Sequence, residues 1–292
     1  MRHRDPVLVV PPEVRSGPFR GSQAVRDGLL TPRQLRGRCW RRLFPDVHVD
    51  VDVTHELRAR AATRLLYPGA VVTGRSAAVL WGVPLAGPED DVELTSPPGS
   101  HPVRVAGIRM RRADLEERHV LRWRDVRVTS PEAAAVELAG GRDLDEAVVA
   151  VDQLVVTGGA DLAVVRRLAA AALRPGCRRA RRACALADGT AESPQETRLR
   201  LLIGRSGLPA PVPQFRVYDR ARFVARVDFA WPTQRVALEY DGLWHAEPGQ
   251  FAADRARLNR LTAAGWRVVF VTAADLRRPA QLLARVGSEL AC

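Results

Sequence analysis

Two apolar runs flanking a proline-led turn constrain this chain more than any other stretch of it. Phe223 to Ala230 and Arg235 to Tyr240 read as strands, and the Pro232-Thr233-Gln234 segment between them supplies turn chemistry. A turn centred on Thr233-Gln234 sets Asp228 opposite Glu239 in an antiparallel pair, with Cβ atoms roughly 5 Å apart. Alternation along the later strand then puts Glu239 and Asp241 on one face and Val236, Leu238 and Tyr240 on the other. A slip of one residue would destroy this arrangement. Three carboxylates so close repel one another unless a divalent cation neutralises them. An all-oxygen set of this kind suits Mg²⁺ or Mn²⁺ better than zinc, so Asp228, Glu239 and Asp241 are the expected metal ligands.

The neighbouring segments extend the pattern. A helix from about Ser193-Pro194 to Ser206 carries Glu196, which either favours the helix dipole or joins the site. Phe215 to Tyr218 reads as a first strand, Ala253 to Ala264 as a helix, Trp266 to Thr272 as a strand and Pro279 to Leu290 as a final helix. Trp231, Trp244 and Trp266 read as packing residues rather than base-stacking platforms. The order α-β-β-β-α-β, with Asp228 in VDFAWP, Glu239 and Asp241 in ALEYDGLWH, and Asp254, Arg255, Arg257 and Asn259 in DRARLNRLTAAGW, resembles the PD-(D/E)XK nuclease superfamily over roughly Glu192 to Ala291. It is most similar to the branch related to very-short-patch-repair endonucleases. The resemblance implies a restriction-endonuclease-like α/β domain whose Asp and Glu hold a metal. The superfamily's lysine, two positions after the Glu, is Asp241 here. Replacement by Asp followed by a His is typical of the branch, which makes His245 the candidate for proton transfer or substrate contact. Glu196, Asp228, Glu239, Asp241 and His245 are the expected catalytic set, and Arg255 and Arg257 sit where they could reach a phosphate.

The first part of the chain reads differently. Ser22 to Gly28 forms a short amphipathic helix, Thr31-Pro32 caps and starts another, and Cys39–Phe44 and Val47–Val51 flank a Pro45-Asp46 turn. Helices leading into an arginine-rich ribbon suit a winged helix-turn-helix. The stretch from Gly28 to Val51, followed by Val71 to Leu85, resembles the winged-helix start of abortive-infection (type IV) antitoxin-type regulators. Arg36, Arg41 and Arg42 are its expected nucleic-acid contacts. Strand patches at Val92–Leu94, Val103–Met110 and Val126–Val128 precede alanine-rich helices at 131–138, 144–156 and 162–173. The expected division is a winged-helix module over 1–97, a mostly helical linking segment over 98–184, and the nuclease-like domain over 185–292.

Composition bears on partners. The 292 residues carry 45 basic against 33 acidic side chains, net +12, and every one of the 45 is arginine. That surplus favours an anionic partner, and arginine forks suit phosphates and guanine edges. Arg174, Arg178, Arg179, Arg181 and Arg182 form either a solvated helix face or a phosphate contact. Without a long apolar run or a signal-peptide pattern, the expected setting is cytoplasmic, with no membrane partner. Cys39, Cys177, Cys184 and Cys292 lack zinc-site spacing and are expected to be reduced. Three functions follow as expectations: a Mg²⁺-dependent DNA endonuclease targeted by a winged helix, a non-catalytic DNA-binding regulator or antitoxin with an inactive nuclease fold, and a nuclease acting on RNA. A dimer is compatible with each.

Overall fold

The computed structural model describes residues 11–15, 17–241 and 250–291. The chain is mixed α/β and its contacts divide it into two units. One comprises the residues up to Leu138 with Thr157–Leu173; the other comprises Ala139–Val156 with the residues from Arg174 on.

The first unit opens with α1 (Pro12–Arg15), β1 (Phe19–Arg20), α2 (Gly21–Arg26) and α3 (Pro32–Leu35). Thr31 starts α3 through a capping box: its hydroxyl accepts from the Gln34 amide at 3.2 Å, and Gln34 Oε1 accepts from the Thr31 amide at 2.8 Å. The hairpin β2 (Arg41–Phe44) and β3 (Val47–Val49) turns at Pro45-Asp46 as expected, and β1 pairs with β3 to make a three-stranded sheet. Val14, Ala24, Leu30 and Trp40 form the small core beneath it.

Next come α4 (His55–Ala61), which runs into a π-type turn over Ala62–Leu66, then β4 (Val71–Val72), α5 (Gly74–Leu80), β5 (Val92–Ser96), β6 (Ile108–Arg112), β7 (Val120–Trp123) and β8 (Val126–Thr129). The five strands form one sheet in the order β6-β5-β4-β8-β7. This sheet runs through residue 97, where a domain boundary was expected. The strand expected from Val103 begins only at Ile108, and β7, four residues long (Val120–Trp123), is too short to show a strand period in the sequence. Ser130 caps α6 (Pro131–Ala139), accepting from the Ala133 amide at 3.2 Å. The following helix, α7 (Leu144–Val156), belongs to the other unit, and α8 (Leu162–Ala171), capped by Asp161, returns to this one. A buried polar knot joins α4, α5 and β5. His55 Nδ1 lies 2.9 Å from the Gly87 carbonyl and His55 Nε2 lies 2.7 Å from Ser76 Oγ, which itself accepts from the Glu93 amide at 2.8 Å.

In the second unit α7 is followed by α9 (Cys177–Leu186), α10 (Pro194–Gly204), β9 (Val212–Asp219), β10 (Arg222–Trp231), β11 (Val236–Tyr240), α11 (Gln250–Ala263), β12 (Arg267–Val271), α12 (Ala273–Leu276) and α13 (Pro279–Ala291). Its sheet has the order β12-β11-β10-β9, parallel only between β11 and β12, where α11 makes the crossover. Phe229, Trp231, Val236 and Leu238 pack with Leu199 and Ile203 of α10 and Leu282 and Val286 of α13. A second cluster joins Val217, Val227 and Ala237 to Leu261 and Trp266. The expected order α-β-β-β-α-β is present, with Trp231 and Trp266 in the core.

Asp152 ties α7 into this unit. Its fully buried carboxylate accepts from the Asp188 and Gly189 amides, each at 3.0 Å, from Thr197 Oγ1 at 2.9 Å and from Arg200 Nη2 at 2.7 Å. Glu146 and Asp145 add ion pairs to Arg198 and Arg205. Among the described residues Cys39, Cys177 and Cys184 form no disulfide, and no helix is long and apolar enough to cross a membrane.

Candidate active site

Register positions the acids. Phe229 pairs with Leu238, Ala230 with Ala237 and Trp231 with Val236 across a turn at 232–235, which is the register expected from the turn residues. Continued by one step it sets Asp228 against Glu239. Arg235 closes the turn in the left-handed region (φ 51), and its carbonyl accepts from the Arg267 amide at 2.9 Å, joining the turn to β12. Backbone pairing ends at Phe229 and Leu238, and just beyond it Asp228 Oδ2 accepts from the Tyr240 amide at 2.8 Å. On the other side, Val227 pairs with Phe215 and Phe229 with Pro213, which puts Gln214 across from Asp228.

Glu239 is 6% exposed and is gripped by Arg257 of α11, whose Nη1 donates to Oε1 at 2.8 Å while Nη2 donates to Oε2. The Arg226 carbonyl also accepts from Arg257 Nη1, at 3.3 Å. Glu196, 7% exposed in the first turn of α10, accepts at Oε2 from the Glu192 amide and from Gln214 Nε2, both at 2.9 Å. Its placement follows from Ser193, which caps the helix by accepting from the Glu196 amide, and from Pro194 at the first helical position. Burial pushes the Glu196 carboxyl above the ordinary glutamate value, and the charge of Asp228 pushes the same way. Asp228 is also raised, first by burial and then by Glu239 and Glu192, against the lowering pull of the Tyr240 amide and Arg257. The three acids therefore share one electrostatic neighbourhood.

Of the residues expected here, Glu196, Asp228 and Glu239 are brought together. Asp241 is exposed just past β11, where its amide donates to the Val271 carbonyl at 2.7 Å. His245 lies outside the described residues. Arg255 is exposed on α11. Arg257 was expected to reach a phosphate, yet both its terminal nitrogens turn inward to Glu239. In the other unit Arg36, Arg41 and Arg42 are all exposed. Among the described residues no three His, Cys, Asp or Glu side chains stand close enough together to hold a metal ion.

Gln214 was not foreseen. Pro213 beside it hid the start of β9, although proline is tolerated on an edge strand, and β9 is one. Its backbone is left-handed (φ 48), and its Oε1 is buried without a hydrogen-bond partner. The donors here are all oxygen, the class a hard divalent cation prefers, and Gln214 leaves a buried acceptor without a donor, but the described residues do not gather three ligating acids.

No family model matches the chain. Two uncharacterised Mycobacterium tuberculosis proteins, MT2308 (strain CDC 1551 / Oshkosh) and Rv2248 (strain ATCC 25618 / H37Rv), are each 40% identical to it over 119 residues, covering 40% of this chain. The chain spans 44% of the length of these relatives. The crystal structure of the RV2827C protein from Mycobacterium tuberculosis aligns at 15% identity over 68% of this chain and 77% of that one, with a TM-score of 0.37, a likeness too loose to carry an argument.

Proposed function

We propose that this chain is a metal-dependent DNA endonuclease, with a restriction-endonuclease-like site in its second unit and a winged-helix-like DNA-binding module at its start. The observation that carries the reading is the β10–β11 register, whose last pair, Phe229 with Leu238, leaves Asp228 and Glu239 as the next residues on adjacent strands, near the buried Glu196. Asp228 and Glu239 would hold Mg²⁺ or Mn²⁺, with water and the phosphate completing its shell, since Asp241 stands exposed beyond the strand end. A bound ion of this kind supplies an activated water and stabilises the leaving oxygen of a phosphodiester. The Tyr240 amide orients Asp228, and Arg257 orients Glu239 and offsets its charge. Glu196, more readily protonated than an ordinary glutamate, is suited to hold a proton at the edge of the site. Arg36, Arg41 and Arg42, exposed on the first unit, would meet phosphates.

A test is cleavage of supercoiled plasmid and mismatched duplex with Mg²⁺ or Mn²⁺ by the wild type, Asp228→Ala and Glu239→Ala. Metal-dependent nicking lost in both variants supports the reading; absence of cutting on duplex, nicked, mismatched and single-stranded DNA removes it.

One observation favours a second reading, a DNA-binding regulator with an inactive nuclease fold. Arg257 already occupies both oxygens of Glu239, and no three-ligand group is assembled among the described residues. That reading predicts footprinted duplex sites without any metal requirement.

A further inference from the structure

The ribbon formed by β9 and β10 has two unlike faces. Val217 and Ala225 pair with each other and are buried in the core shared with Leu261 and Trp266. The pairs on the outer face are Arg216 with Arg226 and Tyr218 with Phe223, all exposed. Tyr218 and Phe223 are each 53% exposed, and their rings meet edge to face with centroids 5.8 Å apart. The turn Arg220-Ala221 carries one more arginine and Arg222 follows it. Arg216 and Arg220 have no ion-pair partner among the described residues, whereas Arg222 stands opposite Asp219 in the strand register. Solvent-facing aromatic pairs are uncommon, because each ring forfeits the burial that would favour folding. Here the pair sits beside Arg216 and the turn residue Arg220 rather than against another apolar surface.

The strip leads back to the acids. Arg226 Nη2 donates to Glu192 Oε2 at 2.6 Å, the Glu192 amide donates to Glu196, and the Arg226 carbonyl accepts from Arg257. Along β10, Phe223 precedes Asp228 by a strand length of roughly 17 Å. We infer that the outer face of this ribbon is a binding surface for single-stranded DNA: Tyr218 and Phe223 stack on unpaired bases while Arg216 and the turn residue Arg220 track the phosphates toward Asp228. Stacked duplex bases offer no open ring face, whereas an unpaired segment offers one at every nucleotide. The inference deepens the endonuclease reading and rests on it for the direction in which the strand runs.

The test is fluorescence anisotropy of the full chain in EDTA with a labelled single strand and the corresponding duplex, over a salt series. Tyr218→Ala/Phe223→Ala should weaken single-strand binding about tenfold or more, leaving duplex affinity and the salt slope unchanged. Tyr218→Phe should retain wild-type affinity. Arg216→Ala/Arg220→Ala should lower both affinity and salt slope. Unchanged single-strand affinity in the aromatic variant, an equal loss on duplex, or a loss of self-association with DNA affinity intact would each overturn the inference. Because the assay contains no metal and reads no cleavage, its failure is separate from that of the endonuclease reading: binding through the ribbon by a protein that never cuts removes only the latter.

Discussion

At the residue scale, the acids work against one another until something positive intervenes. The folded chain holds Asp228 and Glu196 in surroundings that disfavour their charged forms, so ionising either costs stability as pH rises through its folded pKa. Asp228→Asn keeps an oxygen for the Tyr240 amide and removes one charge, and it should melt higher than the wild type at neutral pH while losing any metal-dependent cleavage. Differential scanning fluorimetry beside a nicking assay measures both. Arg257→Ala leaves the buried Glu239 without its fork and should cost about 2 kcal/mol, since its loss removes hydrogen bonds to a charged group. If Glu239 is a metal ligand, millimolar Mn²⁺ should restore part of that loss, whereas an inactive fold should show no recovery. His55 obeys the opposite sign rule from the two acids. Burial lowers its pKa below 6.5, so the stability it contributes is fully present above about pH 6.5 and is lost as pH falls through the folded value. Urea midpoints for the wild type and His55→Gln between pH 7.5 and 5 should show the steeper decline in the wild type.

Elements follow from residues where the local signals agree. Proline-led turn chemistry and apolar alternation set the β10–β11 register, and the caps at Thr31 and Ser193 mark the starts of two helices. These were legible because each is decided within a few neighbouring residues. Gln214 was not, since its importance comes from an edge strand that tolerates Pro213 and from a partner eighteen residues away in sequence, Glu196. The inward turn of Arg257 was equally hidden: an arginine on a helix reads the same whether it faces solvent or a carboxylate on the adjoining sheet. The Arg220-Ala221 turn has both residues left-handed (φ 44 and 67), the geometry of a type I′ hairpin without its usual Asn-Gly. Ala221→Gly should therefore stabilise the protein by about 1 kcal/mol, read as a shifted urea midpoint with an unchanged slope.

Across the whole molecule, the path of the chain between its units was the least legible property. The helix α7 had a readable start, length and end, but its destination depended on Asp152 meeting Thr197, Arg200 and two amides far along the sequence. Asp152→Ala should cost about 3 kcal/mol or more, because Arg200 is left facing a vacated buried partner. Thermal unfolding should show it as a marked fall in midpoint. The interleaving has a consequence for inheritance. Since the second unit draws one helix from before residue 157 and the remainder from after residue 173, no single break in the gene separates the two units intact. Recombination at one joint would hand a descendant a sheet lacking its α7, so the two halves of this protein are bound to travel together.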